Sequence, residues 1–346
     1  MNEMFYRILQ SELWQTPLSI EELDSSEIEE IITEANKQCV AALVCNCLIA
    51  NGVPLGRKMT LKAMAIVQRV KKDNEKRNFD VSKFSKFLKR RNIPFVIVKG
   101  QTVAAFYPHP HLRQSGDIDV FCGQSHFVEA REEIAKKTDL LFDPSIPVKH
   151  LSFSIDGSKY ELHRILSIFS YPKNQKCFND LMEKGLERAD AVEINGEMIP
   201  LLAPTDNVFF QTIHIFYHII KEGVGLRQFC DLAVYMHANQ DRIDFDELDA
   251  NLNKIGLKDF FQAIVSILVN RLGLSLHTAR IPVTMTKLSK KILEEIDEGG
   301  NFGQALEENR HLTILKHYVK YLPDAPVEIL TIPYEKLTRR LRGYTS

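Results

Sequence analysis

Two hydrophobic spacings divide the chain. From Met1 to about Asn92, apolar residues recur every three or four positions, as in helices with one buried stripe. "SSEIEEIITEANKQCVAALVCNCLIANG" predicts one helix with serine caps, acids in its first turn and a stop at Asn51-Gly52. "DVSKFSKFLKRRN" predicts another, with Asp80 as N-cap and Val81, Phe84, Phe87 and Leu88 as its apolar stripe. At Ile93 the period shortens. "IPFVIV" reads as a buried strand ending at Lys99-Gly100, and "TVAAFY" as one or two helical turns stopped by Pro108 and Pro110. "DIDVFC" is a second strand, with "SHFVEAREEIAKKTD" a helix behind it. "HLSFSI" and "SKYELHRI" flank Asp156-Gly157, and "AVEINGEMIPLL" folds around Asn195-Gly196, giving two predicted hairpins with type I′ turns. After Pro204 helical spacing returns, in "TDNVFFQTIHIFYHIIK" with Thr205 as cap and in "GLRQFCDLAVYMHAN". The pattern predicts an α+β fold: an N-terminal helical region (1–92), a mixed-sheet core (93–205) and a C-terminal helical domain (206–346).

Composition changes this picture little. The 346 residues, 45% apolar and 26% charged, suit two or three packed globular units. A net charge of −1 gives no global pull toward nucleic acid or anionic membrane. One segment departs from that balance, with Lys71, Lys72, Lys76, Arg77, Lys83, Lys86, Lys89, Arg90 and Arg91 close together. A solvated helix face is the expectation there, and a phosphate or nucleic-acid contact the alternative. The six cysteines contain no C-x-x-C pair and mostly lie in apolar runs, which predicts reduced core thiols. The first residues lack the apolar core of a signal peptide, and "DFFQAIVSILVNRLG" is too short for a membrane span. A cytoplasmic protein without a membrane partner is therefore expected.

Candidate chemistry enters at "SGDIDVF". On a strand, Asp117 and Asp119 share a face with Cα atoms roughly 6.6 Å apart, while Ile118 turns into the core. Two ionised carboxylates at that distance repel by about 2–3 kcal/mol at an effective dielectric of ~20. A divalent cation, Mg²⁺ or Mn²⁺, held by oxygen ligands would offset the repulsion. Glu161 and His163 in "KYELHRI" share one strand face, so Glu161 meets the aspartates if the hairpin lies beside the second strand. Three carboxylates around such ions describe a phosphoryl-transfer centre. The strand end at Lys99-Gly100 offers backbone N–H groups and a cation to phosphate, and Arg113 and Ser115 can add charge and a hydroxyl. A D-x-D pair also serves metal-dependent phosphatases and glycosyltransferases, and a nucleotide sensor without turnover is a further alternative. His214 and His218 stand four apart on one helix face, but no third ligand follows at a zinc-site offset. They are read instead as a polar cluster facing the cleft, with Arg227 and Asp231 as an i,i+4 ion pair. His163 would orient Glu161 or serve the acceptor, and a structural role is the alternative.

These residues carry a family resemblance over roughly 90–237. "IPFVIVKGQTVAAFYPHPHLRQSGDIDVF" resembles the nucleotidyltransferase superfamily with the polymerase-beta-like fold. More narrowly it resembles an uncharacterised bacterial nucleotidyltransferase family marked by K-G, Y-P, R-x-x-G-D-I-D and E-L-H. Lys99-Gly100, Tyr107-Pro108, Arg113, Gly116-Asp117-Ile118-Asp119 and Glu161-Leu162-His163 appear in that order. His214, His218, Arg227 and Asp231 match its helical His…His…Arg…Asp pattern. The resemblance implies a nucleotidyltransferase-type core that moves a nucleoside monophosphate from an NTP, with ATP the expected donor, onto an acceptor. The acceptor is a hydroxyl-bearing small molecule, protein or RNA, and pyrophosphate is released. It also implies that Asp117, Asp119 and Glu161 hold Mg²⁺. One departure is Gln101, which follows Gly100 where the wider superfamily has serine or glycine; the nucleotide-binding set is thus Lys99, Gly100, Gln101, Arg113 and Ser115.

Overall fold

The computed structural model describes residues 1–18, 23–138, 140, 149–221, 223–280, 283–299 and 310–341. The N-terminal region folds as α1 (Glu3–Trp14), α2 (Ser25–Lys37), α3 (Ala41–Ala50) and α4 (Gly56–Lys89). The single helix expected over 25–52 is thus two. Cys39 takes a left-handed φ of 54° and Val40 N–H reaches back to Ala35 O at 2.9 Å, so the chain turns. The turn lets Ile28, Ile31 and Ile32 of α2 and Val44, Cys47 and Leu48 of α3 enter the same core. The cap of α2 is Asp24, in a reciprocal box with Glu27, and not a serine. Asp80 likewise does not start a helix. It lies inside α4, buried, and accepts from Lys76 Nζ at 2.7 Å and from Ser158 Oγ. Nothing between Gly56 and Lys89 breaks a helix, for the segment has no proline and no interior glycine.

The core follows the predicted order: β1 (Val96–Val98), α5 (Gly100–Ala104), a 3₁₀ turn at Pro110–Leu112, β2 (Ile118–Phe121), α6 (Gly123–Thr138), β3 (His150–Ile155) and β4 (Ser158–His163). A helix not foreseen from the sequence follows, α7 (Pro172–Glu187), opened by a proline at its first position. Strands β5 (Asp190–Ile194) and β6 (Glu197–Leu201) form a separate hairpin. Both hairpin turns have two positive φ values, 51° and 77° at Asp156-Gly157 and 53° and 73° at Asn195-Gly196, as a type I′ turn requires.

The four-stranded sheet runs β1-β2-β4-β3, with β2 and β4 parallel and both outer pairs antiparallel. Strand alternation sorts its two faces. Ile97, Ile118, Val120, Tyr160 and Leu162 pack with Phe127 and Ile134 of α6 and Phe84 and Phe87 of α4. Ile118, Val120 and Leu162 are each at most 3% exposed, and each such aliphatic burial stabilises by about 1.5–3 kcal/mol. The opposite face carries Val96, Val98 and Phe121 into a second, larger core and Asp119 and Glu161 into a cleft, with His163 buried beside them.

That larger core joins the N-terminal helices to α8 (Pro204–Lys221), α9 (Leu226–Ala238), α10 (Phe245–Lys254), α11 (Lys258–Leu272), α12 (Leu276–Ala279), α13 (Lys287–Gly299), α14 (Arg310–Tyr321), α15 (Pro326–Leu330) and α16 (Ile332–Leu341). Thr205 lies within the first turn of α8, and its hydroxyl accepts from Asp244 N at 2.9 Å instead of capping. Several cations of the basic segment form ion pairs. Lys83 meets Asp156 at 2.9 Å, Lys89 meets Glu197 at 2.8 Å and Arg91 meets Glu133 at 2.7 Å. The cysteines are free thiols, and Cys122 packs behind the sheet. No helix among the described residues is long and apolar enough to cross a membrane.

Candidate functional site

Register places the acids. Asp119 on β2 is paired with Val98 on one side and Glu161 on the other. Because β2 and β4 run parallel, the two carboxylates project side by side into the same cleft. Asp117 stands just before β2, exposed at the cleft mouth, one residue outside the strand expected to carry it. The cleft encloses roughly 450 Å³, and its other wall is built by α8 and α9, which contribute His214, His218, Arg227 and Asp231.

Asp119 is nearly buried, yet Lys99 Nζ lies 3.2 Å and His163 Nε2 2.9 Å from its Oδ1. Burial pushes its carboxyl up, but Lys99 and His163 outweigh burial and hold it well below the usual carboxylate range. Glu161 is lowered too, burial being outweighed chiefly by the contact of His163 Nε2 with its Oε2 at 3.2 Å. Across the β3–β4 ladder from His163 stands His150, whose Nε2 is 3.5 Å from Glu161 Oε1. Burial and the neighbouring His163 push His150 down to about 4. Two ionised carboxylates flanking one point, with Asp117 nearby, supply the oxygen donors a divalent cation needs, so the residues present fit such an ion.

Lys99 sits in an unusual backbone conformation, φ 59° and ψ −152°, a region normally left to glycine. Gly100 follows with φ 52° and opens α5. This double left-handed step turns the lysine into the cleft. With only five residues, α5 adds little dipole, so the charge at this end comes from the ammonium.

Arg113 lines the same cleft as Lys99 and is tied to its helical wall. Its Nε and Nη2 donate to Asp231 at 2.7 and 2.6 Å, and Tyr107 Oη donates to the same carboxylate at 2.7 Å. Arg113 and Asp231 are 4% and 6% exposed. The predicted Arg227–Asp231 pair is thus replaced by Arg113–Asp231, while Arg227 Nη1 donates to Gln114 O at 3.2 Å. The long loop before Asp117 explains the exchange, because it crosses α9 and brings Arg113 to Asp231. Gln101 and Ser115 bond each other, and Gln101 also donates to Asn78 of α4, so both brace this loop. Asn74 of α4 completes the brace, donating to the carbonyls of His111 and Arg113 at 2.8 Å each.

His214 and His218 stack edge to face, ring centroids 4.4 Å apart, on the cleft wall. Burial, and then the positive charge of Lys99, hold His214 well below the ordinary imidazole range. The motifs did not point to Lys149, His150, Gln211, Tyr217 or Gln228, which also line the cleft. His150 alone had a signal: equal counting outward from the Asp156-Gly157 turn sets it opposite His163.

Carboxylates on one face of a mixed sheet, roofed by helices that carry cations, make a centre suited to charge-dense substrates. The chain belongs to the uncharacterised nucleotidyltransferase family, whose sequence profile matches residues 24–273. Among solved structures, an antigenic nucleotidyltransferase-like protein from Paracoccidioides brasiliensis is similar at 14% identity and a TM-score of 0.33. That match covers 57% of this chain and 92% of the other. No curated protein matches the sequence.

Proposed function

We propose that the cleft binds an NTP, with ATP as donor, together with Mg²⁺ or Mn²⁺. It transfers the nucleoside monophosphate to a hydroxyl-bearing acceptor, which is a small molecule, a protein or an RNA, and releases pyrophosphate. The observation that carries this reading is the pairing of Asp119 with Glu161 on adjacent parallel strands, in a cleft also lined by Lys99, Lys149 and Arg227. Asp117, Asp119 and Glu161 would hold the cation, which when bound neutralises phosphate charge and lowers the pKa of the acceptor hydroxyl. Glu161 is half-buried and ionised, and so is placed to take the acceptor's proton. Lys99 and the amide of Gly100 face the phosphates from the strand end. The helical wall with His214, His218 and Arg227 shapes the acceptor side.

The test is incubation with each α-labelled NTP, either cation and a cell extract. Label on an acceptor with matching pyrophosphate release supports the proposal. Free phosphate without label favours a phosphatase, and nucleotide binding without turnover favours a sensor.

Lys99 gives a sharper prediction with two signs. Lys99→Ala removes a charge-assisted contact worth roughly 1.5–3 kcal/mol, so NTP binding should weaken about 10- to 150-fold. Without nucleotide, the same change should tighten cation binding, because Lys99 no longer occupies Asp119 Oδ1. Calorimetric titration with a non-hydrolysable NTP, and with the cation alone, reads both. Unchanged NTP affinity would mean that the phosphates are gripped elsewhere.

A further inference from the structure

The sheet face that carries the carboxylates also carries two imidazoles that the transfer reaction does not require. His150 and His163 are opposed on β3 and β4, ring centroids 4.9 Å apart. Among the described residues, His150, Glu161 and His163 are the one group of three metal-capable side chains whose ligand atoms all lie within 4.8 Å of one another. His163 Nε2 stands 2.9 Å from Asp119 Oδ1 and 3.2 Å from Glu161 Oε2, and His150 Nε2 stands 3.5 Å from Glu161 Oε1. Atoms that ligate one ion at about 2.1 Å lie about 3.0 Å apart along an octahedral edge and about 3.4 Å apart along a tetrahedral one. The three separations cluster around those values. The Nδ1 atoms of both imidazoles are buried without a hydrogen-bond partner among the described residues. Without an ion, His163 Nε2 donates to Asp119 and Glu161, so an ion bound among these atoms would replace that N–H contact with a nitrogen lone pair.

We infer that the centre takes a first-row transition-metal ion, Mn²⁺ in preference to Mg²⁺, with His150 and His163 as nitrogen ligands beside Glu161 and Asp119. Mg²⁺ takes oxygen ligands and retains several waters, whereas imidazole suits the transition ions. The inference rests on the reading of the cleft as a metal-dependent centre. It adds His150, on the edge strand of the sheet, to the residues that hold the ion.

The experiment titrates the full chain with Mn²⁺ in the absence of nucleotide, follows free Mn²⁺ by EPR, and then competes with Mg²⁺. Mn²⁺ should bind on the order of 100-fold more tightly than Mg²⁺, and pulsed EPR of the bound ion should show nitrogen coupling. His150→Gln should raise the Mn²⁺ dissociation constant about 10-fold or more, diminish that coupling and leave Mg²⁺ affinity and the melting temperature unchanged. Equal affinities for the two ions, or a bound-Mn²⁺ spectrum without nitrogen coupling, would overturn the inference. Failure to label any acceptor while Mn²⁺ selectivity persists would sink the transfer reading and leave this one standing. Transfer supported by Mg²⁺, with no nitrogen coupling, would do the reverse.

Discussion

Asp119→Asn should lower nucleotidyl transfer by roughly three orders of magnitude or more, about 4 kcal/mol of lost barrier reduction. Asp119 touches both Lys99 and His163 and also neighbours Glu161 in the ladder. An amide there removes a charge and an anionic ligand without changing shape. The substitution should also cost stability. Repulsion among the acids alone would predict a neutral or stabilising effect in the metal-free protein. The structure gives the opposite sign, because Lys99 and His163 outweigh burial in favouring the ionised form. Losing a charge-assisted bond of this kind costs about 1.5–3 kcal/mol. Single-turnover assays and denaturant melts of the metal-free protein read the two effects separately. A melt that matched the parent would show that Lys99 and His163 gain nothing from the carboxylate.

Asp231→Ala should destabilise the fold by about 3–5 kcal/mol. The carboxylate is the shared acceptor for Arg113 and Tyr107, and Arg113 is 4% exposed. Removing it strands a guanidinium that is largely shielded from solvent, which is the costly way to break a buried pair. Replacing both partners with apolar residues of similar volume, Asp231→Leu with Arg113→Met, should recover much of the loss, because no uncompensated charge remains. Chemical denaturation of the two variants beside the parent is the measurement. If the double variant is no more stable than Asp231→Ala, the penalty comes from lost packing and not from the orphaned charge.

How much of this could be read in the sequence depends on distance along the chain. Alternation over "DIDVF" was enough to send Ile118 inward and Asp119 to the cleft, because a strand's period is fixed at two. Each hairpin was legible from its turn dipeptide. Glu161 could be set beside Asp119 only conditionally, since nothing local states that β4 pairs with β2. Arg113 and Asp231 are 118 residues apart, so residue type alone suggested phosphate for the first and the nearer Arg227 for the second. Asp80 looked like a cap because aspartate favours caps. Only continuity across the whole of α4 reveals it as a buried acceptor inside a longer helix. Cys39 shows the converse: no glycine or proline marks that bend, and packing of two apolar faces forces it.

Helix α4 has a mechanical consequence. Its 34 residues span about 51 Å, with Ile66, Val67 and Val70 in one core and Val81, Phe84 and Leu88 in the other. Between them Asn74 grips the loop that leads to Asp117. A helix turns about 100° per residue, so the two cores are phase-locked, and neither can rotate about this axis without dragging the other. The aspartate loop hangs from the middle of that shaft. Asp117 is therefore indexed to a helix shared by both cores, through the loop that Asn74 holds. That is how seventeen residues of loop and short helix, 100–116, deliver Asp117 to a fixed place at the cleft mouth.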